Sequence, residues 1–103
     1  MKIAIASEKN SIESKIDPRF GRCNFFAIYD SKNGSLDFLT NPAKEATSGA
    51  GPMAVQFIAS QGVKKVVAGD FGNKITSLLN SLDIEMLTET DKTVSDIIKQ
   101  FKI

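Results

Sequence analysis

Both arginines of the chain, Arg19 and Arg22, fall in Asp17-Pro18-Arg19-Phe20-Gly21-Arg22, while every other basic residue is a lysine. A guanidinium is a rigid planar fork for oxyanions, which lysine is not, and a neighbouring glycine lets backbone approach a ligand closely. The plain alternative is a surface pair between an arginine and Asp17. A second candidate is Thr47-Ser48-Gly49-Ala50-Gly51-Pro52, which runs into the helical pattern Met53 to Ala59. Pro52 suits a first helical position, so this pattern predicts a helix beginning at or beside Gly51. Free N–H groups at such a start, with the positive end of the macrodipole behind them, suit an anion. The alternative there is a capped loop and nothing more. A third small-residue turn, Gly69-Asp70-Phe71-Gly72-Asn73, leads into another helical pattern.

The residue inventory excludes several chemistries. With no histidine in the chain, Ser-His and Cys-His catalysis are ruled out and the commonest protein metal ligand is missing. Cys23 is the single cysteine, so it has no internal disulfide partner and no Cys-x-x-Cys site. It reads as a buried core thiol or, following Arg22, as one thiolate for a soft metal. Gly49, Gly51 and Ala54 match a dinucleotide fingerprint with Asp70 about 20 residues on, but the glycines do not sit at a strand-to-helix turn. No Gly-Lys-Ser/Thr follows them, which excludes a Walker loop. A two-metal nuclease would need converging carboxylates, and the apolar first strand carries none.

The elements that position these loops follow from periodicity. Lys2 to Ala6, Asn24 to Tyr29, Leu36 to Thr40, Val63 to Ala68 and Ile84 to Leu87 read as strands. Asn33-Gly34 in a polar link marks a hairpin, so the second and third strands are antiparallel. Gly62 ends the first helix after about Gln61. Ile75, Leu78, Leu79 and Leu82 give the second helix one apolar face, and Thr93 with Asp96 forms a capping box for a third bearing Val94, Ile97, Ile98 and Phe101. Right-handed crossovers then predict an α/β fold: a three-layer α/β/α sandwich of ribonuclease-H-like architecture, with a five-stranded mixed sheet ordered 3-2-1-4-5 and strand 2 antiparallel. That layout gathers the arginine loop, the glycine loop and Gly69 to Asn73 at one carboxyl edge, where open α/β sheets place ligands.

At 103 residues with 42% hydrophobic content, residues 1–103 read as one globular domain. A net charge of +1 gives no reason to expect nucleic acid or an anionic membrane as partner. The short apolar start resembles neither a signal peptide nor a membrane span, so the expected location is cytoplasmic.

With these loops identified, the chain resembles the dinitrogenase iron-molybdenum cofactor biosynthesis family, which includes NifX and the C-terminal domain of NifB. The resemblance rests on the Met-Lys-Ile-Ala-Ile start, Asp17 to Arg22, Asn41-Pro42, Ser48 to Gly51, Gly62-Val63, Val67-Ala68-Gly69, Gly72 and Thr93-Val94. It implies a small non-catalytic carrier that binds an iron–sulfur or molybdenum-containing cluster transiently and exchanges it with a donor or acceptor protein; with no histidine and one cysteine, none is expected as purified in air. Relatives often have histidine at the positions of Arg19 and Ser48, and this chain does not. Capture of an anionic, sulfide-rich cluster would fall to Arg19, Phe20, Gly21 and Arg22, to Ser48, Gly49, Ala50 and Gly51, and to Gly72 and Asn73, with Cys23 the one metal-ligand candidate. The alternative is a regulatory or small-anion-binding module on the same scaffold without metal.

Overall fold

A computed structural model describes residues 1–101. The element order is β1 (Lys2–Ser7), β2 (Phe25–Asp30), β3 (Leu36–Thr40), α1 (Ala50–Ser60), β4 (Val63–Ala68), α2 (Asn73–Ser81), β5 (Glu85–Thr88) and α3 (Val94–Phe101). The sheet runs β3-β2-β1-β4-β5, as the crossover argument requires. β2 is antiparallel to both β1 and β3, while β1 and β4 and then β4 and β5 are parallel. The carboxyl ends of β1, β3, β4 and β5 therefore lie along one edge.

Alternation along the strands divides the core into two layers. Ala4, Ala6, Phe26, Ile28, Val66 and Ala68 face α1 and α2, meeting Ala54, Val55, Ile58, Ile75 and Leu79. On the other face Ile3, Ile5, Ala27, Tyr29 and Val67 pack against Val94 and Ile97 of α3. Each fully buried side chain of Val, Ile or Leu size contributes roughly 1.5–3 kcal/mol, so each helix is held mainly by its apolar stripe. The capping box forms as predicted: Thr93 N–H donates to the Asp96 carboxylate at 3.0 Å, and Asp96 N–H donates to the Thr93 hydroxyl at 3.1 Å.

Two expectations need adjustment. α1 begins at Ala50, beside Gly51 as expected, but Pro52 is its third residue rather than its first. The change is tolerated because no N–H of the first turn has an intrahelical acceptor, and Met53 N–H, donating to Gly49 C=O at 3.1 Å, is the first that does. Leu82, placed in the apolar stripe of α2, is 38% exposed. The helix stops at Ser81 and Leu82 is its C-cap, where the chain leaves the 3.6-residue period.

Candidate functional site

β1 leads toward β2 on one side and β4 toward β5 on the other, so the sheet has its topological switch point between β1 and β4. The arginine loop is wedged there by backbone pairing. Asp17 N–H donates to Ala6 C=O at 2.8 Å at the end of β1, and Gly69 N–H donates to Asp17 C=O at 3.1 Å just beyond β4. Arg19 bridges Asp70 in parallel. This junction depends on Gly69, since a Cβ there would stand 2.5 Å from Pro18 Cα. The glycine loop joins from the other side: a Cβ on Gly21 would lie 3.1 Å from both Cα and N of Gly51, and one on Gly51 would collide with Ile75 of α2. The three small-residue loops do meet at the carboxyl edge.

The starts of α1 and α2 differ in kind from that of α3. Val94 and Ser95 N–H groups donate to the carbonyls of Ser14 and Ile12 at 2.9 and 2.8 Å, and the capping box takes two more donors, so the α3 start is saturated. At α1, Gly49 is a left-handed N-cap at φ 70°, ψ 24°, with no side-chain cap. Among the described residues, the N–H groups of Ser48, Gly49, Ala50 and Gly51 have no hydrogen-bond acceptor. Those of Asn73 and Lys74 at the start of α2 likewise have none, with Gly72 as an extended N-cap. Successive free N–H groups around a left-handed residue make an anion-binding concavity.

The two arginines part company here. Arg19 keeps its side chain 64% exposed while its Nε and Nη2 donate to Asp17 at 3.3 and 3.4 Å. Asp17 is itself buried and also accepts Arg19 N–H at 2.9 Å. This hydrogen-bonded pairing raises the Arg19 pKa above its ordinary value, so the guanidinium stays charged and its outer face is free for a ligand. Arg22 is half-buried, and its Nη1 donates to the backbone carbonyls of Lys44 and Ala46. Phe20 turns inward, 3% exposed, stacking near Phe26 and Phe71 at 5.6 and 5.5 Å.

Cys23, the metal-ligand candidate, lies in the core at 0% exposure. Burial, reinforced by the nearby Asp17 charge, pushes its thiol from 9.0 up to about 12. It is a protonated packing group, because desolvating a thiolate in apolar surroundings without a compensating cation costs too much. Among the described residues no group of three or more His, Cys, Asp or Glu could hold a metal ion. A cavity of about 210 Å³ opens beside the switch point between Glu8, Lys15, Pro18, Gly69, Glu89 and Asp91. Its three carboxylates suit an anion less well than the N–H-rich glycine loop does.

Two residues outside the expected binding set shape the site. Asp17, expected at most as a surface partner of an arginine, is buried at the switch point. Asn41, part of the Asn41-Pro42 pair that carries the family resemblance, is fully buried and joins the arginine loop to the segment preceding the glycine loop.

The class so defined is a three-layer α/β protein whose N–H-rich loops gather at a topological switch point. The chain belongs to the family described as dinitrogenase iron-molybdenum cofactor, which it matches over residues 1–102. It is 29% identical to an uncharacterized protein of Methanocaldococcus jannaschii over 98% of this chain and 85% of that one. Among solved structures it is similar to the apo form of the orange protein from Desulfovibrio gigas, with TM-score 0.91 and 26% identity over 97% of this chain and 85% of that one. A putative NifB protein from Thermotoga, assigned to the DUF35 family, gives TM-score 0.83 and 29% identity over the same shares. Among the described residues no helix is long and apolar enough to cross a membrane.

Proposed function

We propose that this chain is a non-catalytic carrier that holds an anionic, sulfide-rich metal cluster, or its molybdenum- or iron-containing precursor, at the carboxyl edge of the sheet and passes it to a partner protein. The observation that carries this reading is the contrast between helix starts: the donors of α3 are consumed, while those of Ser48 to Gly51 and of Asn73 and Lys74 have no acceptor among the described residues. Family membership supplies the cargo class. Arg19 adds a fixed positive charge, and Gly21 and Gly69 allow the loops to close on one another. The donor set favours outer-sphere capture, with N–H and guanidinium groups bonding to sulfide or oxide ligands of the cargo rather than protein atoms bonding to metal.

A second reading, a regulatory module for a small anion such as phosphate, is favoured by the buried protonated thiol and the lack of a metal-ligating cluster among the described residues. One experiment separates them. Protein prepared without oxygen is incubated with tetrathiomolybdate, with ferrous iron plus sulfide, or with inorganic phosphate, then desalted and assayed for bound metal and absorbance. Retained molybdenum or iron with a shifted absorption band supports the carrier. Phosphate binding with no retained metal replaces it with the second reading.

A further inference from the structure

Arg22 and Asn41 point at each other's loops from opposite sides. Arg22 Nη1 reaches forward to the carbonyls of Lys44 and Ala46. Asn41 Nδ2 reaches back to the carbonyls of Gly21 at 3.1 Å and Cys23 at 2.9 Å, while its Oδ1 accepts Ala43 N–H at 3.0 Å. Asn41 N–H also donates to Asn24 C=O at 3.0 Å. Asn41 is fully buried, so both ends of its amide are committed to backbone groups and none to water.

The consequence falls on the glycine loop. Its leading end is held where Arg22 grips Ala46, and its trailing end where Gly51 rests on Gly21. Both anchors belong to the same short segment, 21–22. Between them Thr47, Ser48 and Gly49 are exposed and carry no packing of their own, with Ala50 already buried. A span this short has little freedom once both ends are fixed, since a residue reaches at most ~3.6 Å. Gly49 then meets the closure in the left-handed region, and the Ser48 to Gly51 N–H groups find no acceptor among the described residues.

We propose that Asn41 and Arg22 form a reciprocal clasp that pre-organises the Ser48 to Gly51 donors, and that both are positioning residues for the anion; this rests on the binding reading above. Arg22 acts through the loop and does not touch the cargo. Pre-organisation of this kind strengthens binding by removing the ordering cost at the moment of association.

The test uses the full chain with Arg22→Lys and Asn41→Asp. Arg22→Lys keeps the charge but ends one atom short of the position from which Nη1 holds both carbonyls; Asn41→Asp keeps the shape and sets a carboxylate against two carbonyl oxygens. Amide NMR of the ligand-free protein and tetrathiomolybdate titration are recorded well below each variant's melting point. The clasp requires that Arg22→Lys shift and broaden the Ser48, Gly49, Ala50 and Gly51 resonances before any ligand is added, and weaken binding ~10-fold or more. A lowered melting point with unchanged loop resonances and unchanged affinity would overturn it, leaving a purely structural contact. If Asn41→Asp does not fold, Arg22→Lys decides alone. If wild-type protein does not retain tetrathiomolybdate, the carrier reading fails, and the clasp is still judged on the loop resonances.

Discussion

At the scale of single residues, the charge of Arg19 is shared between a buried carboxylate and solvent. Replacing it with alanine should act twice. Losing a charged hydrogen bond of ~1.5–3 kcal/mol should weaken tetrathiomolybdate binding by ~10- to 100-fold. Asp17, left with the backbone N–H of residue 19 as its remaining donor, should lower stability, read as a fall in the urea midpoint. Asp17→Asn combined with Arg19→Ala should recover part of that stability and none of the affinity, because a neutral amide tolerates burial better than an unpaired carboxylate. Cys23 yields a pH prediction of definite sign. Its folded pKa of about 12 lies above the ordinary 9.0, so the folded state keeps a proton that the unfolded state releases. The thiol's contribution is fully present below pH 9.0 and is lost as pH rises toward 12. The slope is up to ~1.4 kcal/mol per pH unit. Urea unfolding across that range should show wild type losing more stability than Cys23→Ala. Native protein should resist thiol-modifying reagents at pH 8 until it is unfolded.

At the scale of elements, the start of α1 depends on a left-handed N-cap and the start of α3 on side chains. Gly49→Ala should destabilise by ~1–2 kcal/mol, the cost of placing a Cβ in the left-handed region, and should shift the loop amide resonances. Thr93→Ala should cost ~1 kcal/mol by removing one half of the capping box, with no effect on anion binding at the α1 and α2 starts on the other face of the sheet. Asp96 is held below its ordinary pKa by hydrogen bonds from Thr93. Its contribution is present above the unfolded carboxylate value of ~3.9 and is lost as pH falls through the lowered folded value. Asp96→Asn should therefore make α3 less sensitive to acid, visible as a smaller loss of helical circular dichroism below pH 4. Ile97→Ala removes a fully buried α3 side chain from the core layer it shares with Ile3, Ile5 and Val67. It should cost ~2–5 kcal/mol, the range for truncating a buried isoleucine.

At the scale of the whole molecule, the switch point between β1 and β4 decides where the loops gather, and that follows from strand order. With no imidazole in the chain and the one thiol buried, protein purified in air should carry no stoichiometric zinc or iron by elemental analysis. One tightly held zinc per chain would show that the donor set has been misjudged.

What the sequence by itself determined was everything with a local period or a local stop signal. The apolar spacing of Ile75, Leu78 and Leu79, the capping box at Thr93 and Asp96, the Asn33-Gly34 hairpin and the break at Gly62 define elements because each depends on neighbours within a turn or two. Strand order then followed from crossover handedness, which is a property of chirality rather than of particular residues. What the tertiary structure decided was pairing between distant groups. Nothing adjacent to Arg22 shows that its Nη1 would turn to Lys44 and Ala46, or that Asn41 would answer it across about 20 residues of chain. Nor does local sequence distinguish the exposed guanidinium of Arg19 from the buried carboxylate of Asp17 two residues away. Such partners are chosen by which backbone groups the closing sheet leaves unpaired, and those groups exist only once β1, β4 and the loops between them are in place.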